Sequence, residues 1–454
     1  MLSLILAQVS PIPMTIPQVI WRSQEVRSLP GKLDNIPVFN SNSPELVLGE
    51  GILLSTFPPT QTAHPKAHLN FPLQGRFDLF AHHVAKAASP EDWHTLYLGV
   101  IIHNPGQKVV TINLLEAASY LSQPDAPFRE FPSLVENNRN DKYAGPGSRV
   151  TSHILRGLHQ DIVPDLIQIP PGESRMLFNL PIPVRELSPP LNGRSTYMRL
   201  YSDGPIYMAS LAMFGKLDEV GQERKPNLAE WEQLLLNGDL SQPRDRPPTD
   251  PEAPGQLIYG RVAGVSQGSR WKTDLVDSPD VDSLTIPPKG EALSYVISTV
   301  AGNTFDTMQV QSARMLVRYP DTAYAAHGNY GVQYSLVLPL HNPTRETQTV
   351  TITLETPIKQ QQEEQRSGLG FLQPLPKQIF FRGTVRLRYN DDGDLPRTSY
   401  FHLVQKRGQE GEPLVTLIMP EGDHRLVYFD FLYPPDATPP QVLTIKTITI
   451  AVDS

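Results

Sequence analysis

The sequence predicts a mainly β protein: two tandem immunoglobulin-like β-sandwich domains from an internal duplication, with long inserts and one short linking helix. Three observations predict this fold class, namely a phrase that occurs twice, a high proline content and a single amphipathic helical segment. The chain has 46 prolines in 454 residues, about twice the usual share of about 5%. Because proline donates no backbone hydrogen bond, this content favours strand ends, turns and extended connectors.

The repeated phrase reads LYLGVIIHNPGQKVVTINL at 96–114 and YSLVLPLHNPTRETQTVTITL at 334–354. On both sides of each Asn-Pro turn, apolar residues alternate with other residues, which predicts two strands with one buried face. The second copy has two extra residues in the loop, where an insertion leaves the register of the strands intact. His103 and His341 occupy equivalent positions beside the turn, which favours a structural hydrogen bond over a site.

A second pair of similar segments lies at 166–183 and 414–435, and each predicts a strand, a Pro-x-Gly turn and another strand. Two motifs that recur in the same order predict an internal duplication. Their order is typical of the immunoglobulin-like sandwiches of exported bacterial proteins. Between the copies, residues 196–214 predict a further hairpin with its turn at Asp203-Gly204.

The one strong helix candidate is PNLAEWEQLLLNGDL, in which Asn227 and Glu230 have the spacing of a capping box. Its apolar stripe predicts a helix that packs on the first domain, and the stripe consists of Leu228, Trp231, Leu234 and Leu235. The proline-rich segment that follows predicts a stiff, extended linker. The chain is thereby divided into a disordered start or signal remnant, a first sandwich with the helix, a linker and a second sandwich, at residues 1–16, 17–238, 239–256 and 257–454.

The N-terminus, MLSLILAQVSPIPM, has a short apolar run from Leu2 to Ala7 with no basic residue before it. We interpret this run as the tail of a signal peptide that is cleaved after Ala7, and the alternative is a disordered start. The interpretation predicts a periplasmic, cell-envelope or extracellular location. No other segment approaches the run of about 18 apolar residues that a membrane span needs.

Composition excludes several classes of function. The net charge of −8 and the pI of about 5.9 leave no basic footprint, so nucleic acid is not a predicted partner. The absence of cysteine excludes disulfides, thiol chemistry and cysteine-ligated zinc. The usual sequence motifs of hydrolases, zinc proteases and nucleotide-binding proteins are also absent, so no cofactor is predicted.

Histidines are the side chains that come nearest to a chemical signal, since eight of the twelve lie between residues 64 and 159. Imidazoles can converge on a metal ion together with a carboxylate. The candidates for such a site are His82, His83 and His94. They are weak candidates, because adjacent residues of a strand point to opposite faces and at most one of His82 and His83 can join a given site.

Each copy carries a long insert, at 117–163 and at 356–412. Inserts of this length are either functional or disordered, and SRVTSHILRGL in the first one predicts a short helix. FNSNSPE at 39–45 holds several side-chain acceptors without a recognisable chemistry. We expect any function to lie where the copies differ, chiefly in residues 22–94 and 117–163.

Four stretches of the chain carry a family resemblance: RSQEVRSLPGKLDNIPVFNSNSPELVLGEGILLSTFPP, HLNFPLQGRFDLFAHHVAK, LPLHNP and the Pro-Arg-Asp linker. Through them the sequence resembles a cyanobacterial family, a domain of unknown function, over almost its whole length. The resemblance implies a cyanobacterial source and an exported location. It implies no activity and no site residues.

We therefore predict a non-enzymatic, exported envelope or extracellular protein that binds or organises a surface polysaccharide or a partner protein. The duplicated sandwich pattern, the missing catalytic motifs and the interpretation of the N-terminus all favour this function. The alternative is an enzyme that acts on cell-wall or exopolysaccharide material, with its site in the histidine-rich part of the first domain. The sequence predicts neither the ligand nor the oligomeric state.

Overall fold

Strands dominate the computed structural model of the protein, which describes residues 16–87, 89, 94–358 and 368–449. The mainly β class is therefore confirmed, and two α-helices and one short 3-10 helix complete the described elements. The helices are α1 Ser148–Leu155 and α2 Leu228–Asn237, with the 3-10 helix at Pro65–Ala67. No helix among the described residues is long and apolar enough to span a membrane.

The strands before the proline-rich linker are β1 Gln18–Arg22, β2 Glu25–Arg27, β3 Pro37–Ser41, β4 Leu46–Val47, β5 Gly51–Ser55, β6 Leu73–Lys86, β7 Leu96–His103, β8 Val110–Leu121, β9 Leu134–Glu136, β10 Leu166–Ile169, β11 Ser174–Ile182, β12 Leu191–Phe214, β13 Lys216–Leu217 and β14 Glu223–Arg224. The strands after it are β15 Ala263–Gln267, β16 Arg270–Asp274, β17 Leu284–Thr285, β18 Ala292–Ile297, β19 Ala313–Arg318, β20 Ala325–Ala326, β21 Gln333–His341, β22 Gln348–Glu355, β23 Leu369–Gln373, β24 Ile379–Asn390, β25 Pro396–Lys406, β26 Val415–Met419, β27 His424–Leu432 and β28 Gln441–Ile448.

Each half of the chain buries a core between two layers of strands. In the first half, one layer contains β5, β7, β11 and the C-terminal part of β12, and the other contains β6, β8, β10 and the N-terminal part of β12. Around the second core, the order β16-β21-β27-β24-β25-β9 faces the order β2-β18-β28-β22-β26, in which β9 and β2 come from the first half of the chain. Apolar residues of both layers meet in each core, as Ile102 and Leu200 do in the first and Phe429 and Ile445 in the second.

The predicted hairpin at Asp203-Gly204 is wrong, because β12 continues through this dipeptide as one strand. Residues 191–202 pair with β6 and β8, whereas residues 207–214 pair with β5 and β7. The register shifts between Ser202 and Ile206, so the dipeptide forms a corner at which the strand passes from one layer to the other. The Asp203 carboxylate accepts a hydrogen bond from the Thr111 amide at 2.8 Å, which ties the corner to β8.

The two copies of the repeated sequence form equivalent contacts, and the side chains of Asn104 and Asn342 make them. The Asn104 Nδ2 donates to the carbonyls of Lys108 and Ile169 at 2.7 and 2.8 Å. The Asn342 Nδ2 donates to the carbonyls of Glu346 and Met419, both at 2.9 Å. Each buried amide therefore ties its own loop to the end of a neighbouring strand. The immunoglobulin-like topology and the origin by duplication stay predictions.

Backbone hydrogen bonds join strands that precede the predicted linker to strands that follow it. Strand β3 lies between β6 and β15, β2 pairs with β18, β1 pairs with β23, and β9 pairs with β25. The partition into 17–238 and 257–454 stays a prediction, and these pairings join its two parts through shared sheets. The linker itself is held as well, since the Asp245 carboxylate accepts from the Ser43 hydroxyl and Arg244 pairs with Asp321, both at 2.7 Å.

Both predicted helices are present. In α2, the Asn227 side chain accepts from the Glu230 amide and the Glu230 carboxylate accepts from the Asn227 amide, which is the predicted capping box. Trp231 and Leu235 of the predicted stripe are buried against first-half strands. Helix α1 confirms the helix predicted in the first insert, and it packs against strands of both halves through Ile154.

We predict that Asn342→Ala lowers the free energy of unfolding by about 2–4 kcal/mol, since several buried carbonyls and the Thr344 amide lose their partner. Asn104→Ala should lower it by a similar amount. Urea unfolding followed by circular dichroism measures both effects. The exposed Asn35→Ala is the control and should change stability by less than about 0.5 kcal/mol. An effect of Asn342→Ala no larger than that of the control would contradict the structural role.

Candidate functional site

The three histidines that were candidate metal ligands in the sequence do not lie together in the structure. His82 and His83 lie on opposite faces of β6. The His82 ring forms a hydrogen bond with the Ser195 hydroxyl at 2.8 Å. The His83 ring forms hydrogen bonds with the Ser41 hydroxyl and the Pro44 carbonyl, both at 2.9 Å. His94 is exposed and lies two residues before β7. No group of three or more His, Asp or Glu in the described residues could hold a metal ion.

Burial sets the chemistry of the two strand histidines. It lowers the pKa of His82 to about 3 and that of His83 to about 4, so both rings are neutral at pH 7. The nearest carboxylate oxygen, Glu45 Oε1, lies 3.7 Å from His82 Nε2, and burial raises the pKa of this carboxyl. The geometry is that of neutral groups bonded to strand neighbours.

The histidines of the repeated phrase differ in their contacts. The His103 Nδ1 lies 3.2 Å from the Ser174 hydroxyl, which confirms the predicted structural hydrogen bond. For His341 the prediction is wrong, because its ring makes no hydrogen bond among the described residues and instead stacks on His424 of the neighbouring strand, with ring centroids 4.2 Å apart and an interplanar angle of 7°. Neither contact builds a catalytic group.

A cavity of about 270 Å³ lies where the two halves meet, and we call it the junction cavity. Pairing of β3 with β15 forms one wall, and the Asn42 amide extends this pairing by donating to the Val262 carbonyl at 2.8 Å. The Asn329 side chain fixes the loop opposite, because it donates to the Ser298 hydroxyl and the Gln311 carbonyl at 3.2 Å. The lining comprises Asn40, Asn42, residues 259–262, Val300, residues 326–330, Thr438 and Pro439.

The junction cavity contains polar atoms that the fold leaves unsatisfied. The Oδ1 atoms of Asn40 and Asn42 and the Nδ1 atom of His327 are buried and have no hydrogen-bond partner among the described residues. Asn40 and Asn42 are only 5% and 3% exposed. A buried acceptor without a donor costs about 1–3 kcal/mol. A ligand donor that reaches these atoms would remove this cost.

The remaining walls carry aromatic rings and one ion-paired arginine. The rings of Tyr259 and His327 lie 4.2 Å apart, and the Tyr259 hydroxyl accepts from the Gly302 amide at 2.8 Å. Burial lowers the pKa of His327 to about 4, so this ring is neutral at pH 7. Arg261 is the one charged side chain in the described lining, and its charge is balanced by an ion pair with Glu45.

This arrangement offers recognition of a neutral ligand with several hydrogen-bond donors. Two amide oxygens accept hydrogen bonds, an aromatic ring provides a stacking surface, and the balanced charge gives no advantage to an anion or a cation. Residues 259–261, 327, 328 and 330 are partly exposed, so the cavity opens to solvent. The described lining has no carboxylate, which leaves it without the acid pair that most glycosidases use.

Sequence reasoning missed this site because its residues are far apart in the chain. FNSNSPE drew attention to its acceptors, and Asn40 and Asn42 belong to it. The available signal was a spacing of two: Asn40 lies in β3, Asn42 follows the last residue of that strand, and both are buried polar residues. The partners at 259–262 and 326–330 reach it only through the pairing of β3 with β15.

Acid should destabilise the protein through its buried neutral histidines. The folded-state pKa of His82, about 3, lies below the ordinary value of 6.5, so the unfolded state takes up the proton first as the pH falls. Stability is therefore full above pH 6.5 and declines below it, by about 1.4 kcal/mol per pH unit for each such histidine. In His82→Gln, the loss of stability between pH 6.5 and 5 should shrink by about 2 kcal/mol.

Urea unfolding at the two pH values measures this difference, with the exposed Asn35→Ala as the control. The control should keep the full loss seen in the unmodified protein. An equal loss in His82→Gln and in the control would contradict a neutral, buried His82.

Comparison with known proteins gives a family and no activity. No curated protein matches the chain. The profile of a family described as "Protein of unknown function (DUF3370)" matches residues 24–447, which is nearly the whole chain. The resemblance noted in the sequence is thereby confirmed at the level of the family: the chain belongs to the DUF3370 family of proteins of unknown function.

Proposed function

We propose that the protein is a non-enzymatic binding protein of the cell envelope or extracellular space, and that its junction cavity holds a neutral sugar residue of a surface polysaccharide. The observation that carries the proposal is the pair of buried, unpaired amide oxygens of Asn40 and Asn42, two residues that line a cavity with an aromatic wall and one charged side chain, the ion-paired Arg261. Sugar hydroxyls supply the missing donors, and the C–H face of a sugar ring suits the Tyr259 ring.

Size supports a single ring as the ligand. The cavity of about 270 Å³ lies just below the usual range of about 300–1,000 Å³ for small-molecule sites. A ring of about 12 non-hydrogen atoms at about −0.3 kcal/mol per atom gives a binding free energy of about −4 kcal/mol. This corresponds to a Kd of about 1 mM. A polymer that presents many such residues gains its affinity by multivalency.

Binding of neutral monosaccharides should depend on both asparagines. Saturation-transfer NMR and titration calorimetry with glucose, galactose, mannose and N-acetylglucosamine should detect at least one ligand. In Asn40→Ala/Asn42→Ala, the affinity should fall at least about tenfold, because two accepted hydrogen bonds are lost. The ligand-free variant should be at least as stable as the unmodified protein, since the substitutions remove unsatisfied acceptors.

The control for this experiment is Asn35→Ala/Asn390→Ala, which removes two exposed amides outside the lining and should leave affinity unchanged. Failure of all four sugars to bind the unmodified protein would overturn the proposal. A double variant at Asn40 and Asn42 that unfolds more easily than the unmodified protein would show that these residues serve the fold instead.

The location is proposed on the apolar run Leu2–Ala7 and the implied cyanobacterial, exported family; this run lies outside the described residues. Fractionation of the source cells should recover the protein with envelope material or in the medium, and a cytoplasmic enzyme followed in the same fractions is the control. Recovery in the cytosol together with that enzyme, free of envelope material, would contradict the proposed location.

We also infer that the two sandwiches are immunoglobulin-like and arose by duplication. The equivalent bonds of Asn104 and Asn342 support this, since in both halves one amide joins a loop to the end of a neighbouring strand. A second similarity supports it too: the amides of Gly172 and Gly422 donate to the carbonyls of Asn104 and Asn342, at 2.9 and 3.0 Å.

A further inference from the structure

A groove of about 690 Å³ lies between the first insert and the second half of the chain, and we call it the basic groove. Residues 129–133 of the insert form one side, and the other side comes from 375–382 and from the end of β25. The insert is held in place here, because β9 pairs with β25 and the Val404 amide donates to the Ser133 carbonyl at 3.0 Å.

The groove concentrates positive charge in a chain whose net charge is −8. Its lining includes four cationic residues and one carboxylate, and these are Arg129, Lys377, Arg382, Lys406 and Glu130. Arg382 pairs with Asp436, but none of the described carboxylates forms an ion pair with Arg129, Lys377 or Lys406. Three cationic groups thus face one cleft without an ion-pair partner in the part of the chain that the structure describes, which attracts an anionic ligand.

Arg382 adds a second feature to the lining of the groove. The Nε atom of Arg382 is buried and has no acceptor among the described residues, although the guanidinium lies 5.0 Å from the ring centroid of Phe128. A buried guanidinium N–H without an acceptor is costly. Phe131 lines the groove, so apolar surface accompanies the charge there.

We propose that the basic groove binds an acidic segment of a polysaccharide, with carboxylate or sulfate oxygens on Arg129, Lys377 and Lys406 and a sugar C–H face against Phe131. The choice of a polysaccharide rather than another polyanion rests on the proposed function. The groove and the junction cavity would then bind different residues of one polymer, an acidic one and a neutral one. Carboxylates and sulfates share the relevant chemistry, a negatively charged oxygen that accepts from a cation.

The test compares three probes: a polygalacturonate oligomer, a dextran sulfate oligomer of similar length and an oligoglutamate peptide. At low salt, titration calorimetry should show that at least one saccharide binds, that it binds more tightly than the peptide, and that added salt weakens it. Whichever saccharide binds identifies the anionic group. In Lys377→Ala/Lys406→Ala, its affinity should fall at least about tenfold.

The matched control is Lys32→Ala/Lys289→Ala, which removes the same charge from two exposed lysines outside the groove and should change affinity less than about twofold. The inference is overturned if neither saccharide binds, if the groove variant binds as well as the control, or if oligoglutamate binds as tightly as the saccharides.

Failure of this inference can be distinguished from failure of the proposed function. Asn40→Ala/Asn42→Ala should keep its affinity for the acidic oligomer, and Lys377→Ala/Lys406→Ala should keep its affinity for the neutral sugar. A groove variant that loses the acidic oligomer while the neutral sugars never bind would support the groove and contradict the junction cavity. The reverse pattern would support the cavity alone.

Discussion

The architecture depends on where strand β3 sits. It pairs in parallel with β6 on one side and antiparallel with β15 on the other, so one sheet runs from the first half of the chain into the second. Phe39 anchors β3 in the first-half core, and Val38 packs in the cluster that contains α1. Because backbone hydrogen bonds of a sheet fix register, this pairing also fixes which residues face each other across the junction.

Two pairs of buried asparagines in this fold differ in whether their side-chain hydrogen bonds are satisfied. Asn104 and Asn342 are fully used, since each side chain donates to strand-end carbonyls and accepts from its own loop. Asn40 and Asn42 are as deeply buried and keep an unpaired oxygen. The first pair therefore stabilises the fold. The second pair costs stability, and binding is the physical reason we give for that cost.

Local features of the fold were predictable from the sequence, and long-range ones were not. Three local features were predicted, namely the repeated hairpin, the capping box at Asn227 and helix α1. They depend on neighbours within a few residues, so their patterns can be read in the sequence. Asp203-Gly204 has the composition of a hairpin turn, yet it forms a corner of β12 because the two parts of the strand pair with strands of different layers.

The junction cavity joins Asn42 to residues 259–262 and 326–330, and no spacing rule links such distant segments. The basic groove lies partly in the first insert, where function was expected, but Lys377 and Lys406 reach it only through the pairing of β9 with β25.

The central claim is that the junction of the two halves is a binding site for a neutral sugar. A crystal structure of the protein with the sugar that binds in solution tests it most directly. The predicted result is a sugar ring in the cavity beside Tyr259, with hydroxyls within hydrogen-bond distance of the Oδ1 atoms of Asn40 and Asn42. Ordered water alone on these two atoms, with the sugar bound at another surface, would contradict the claim.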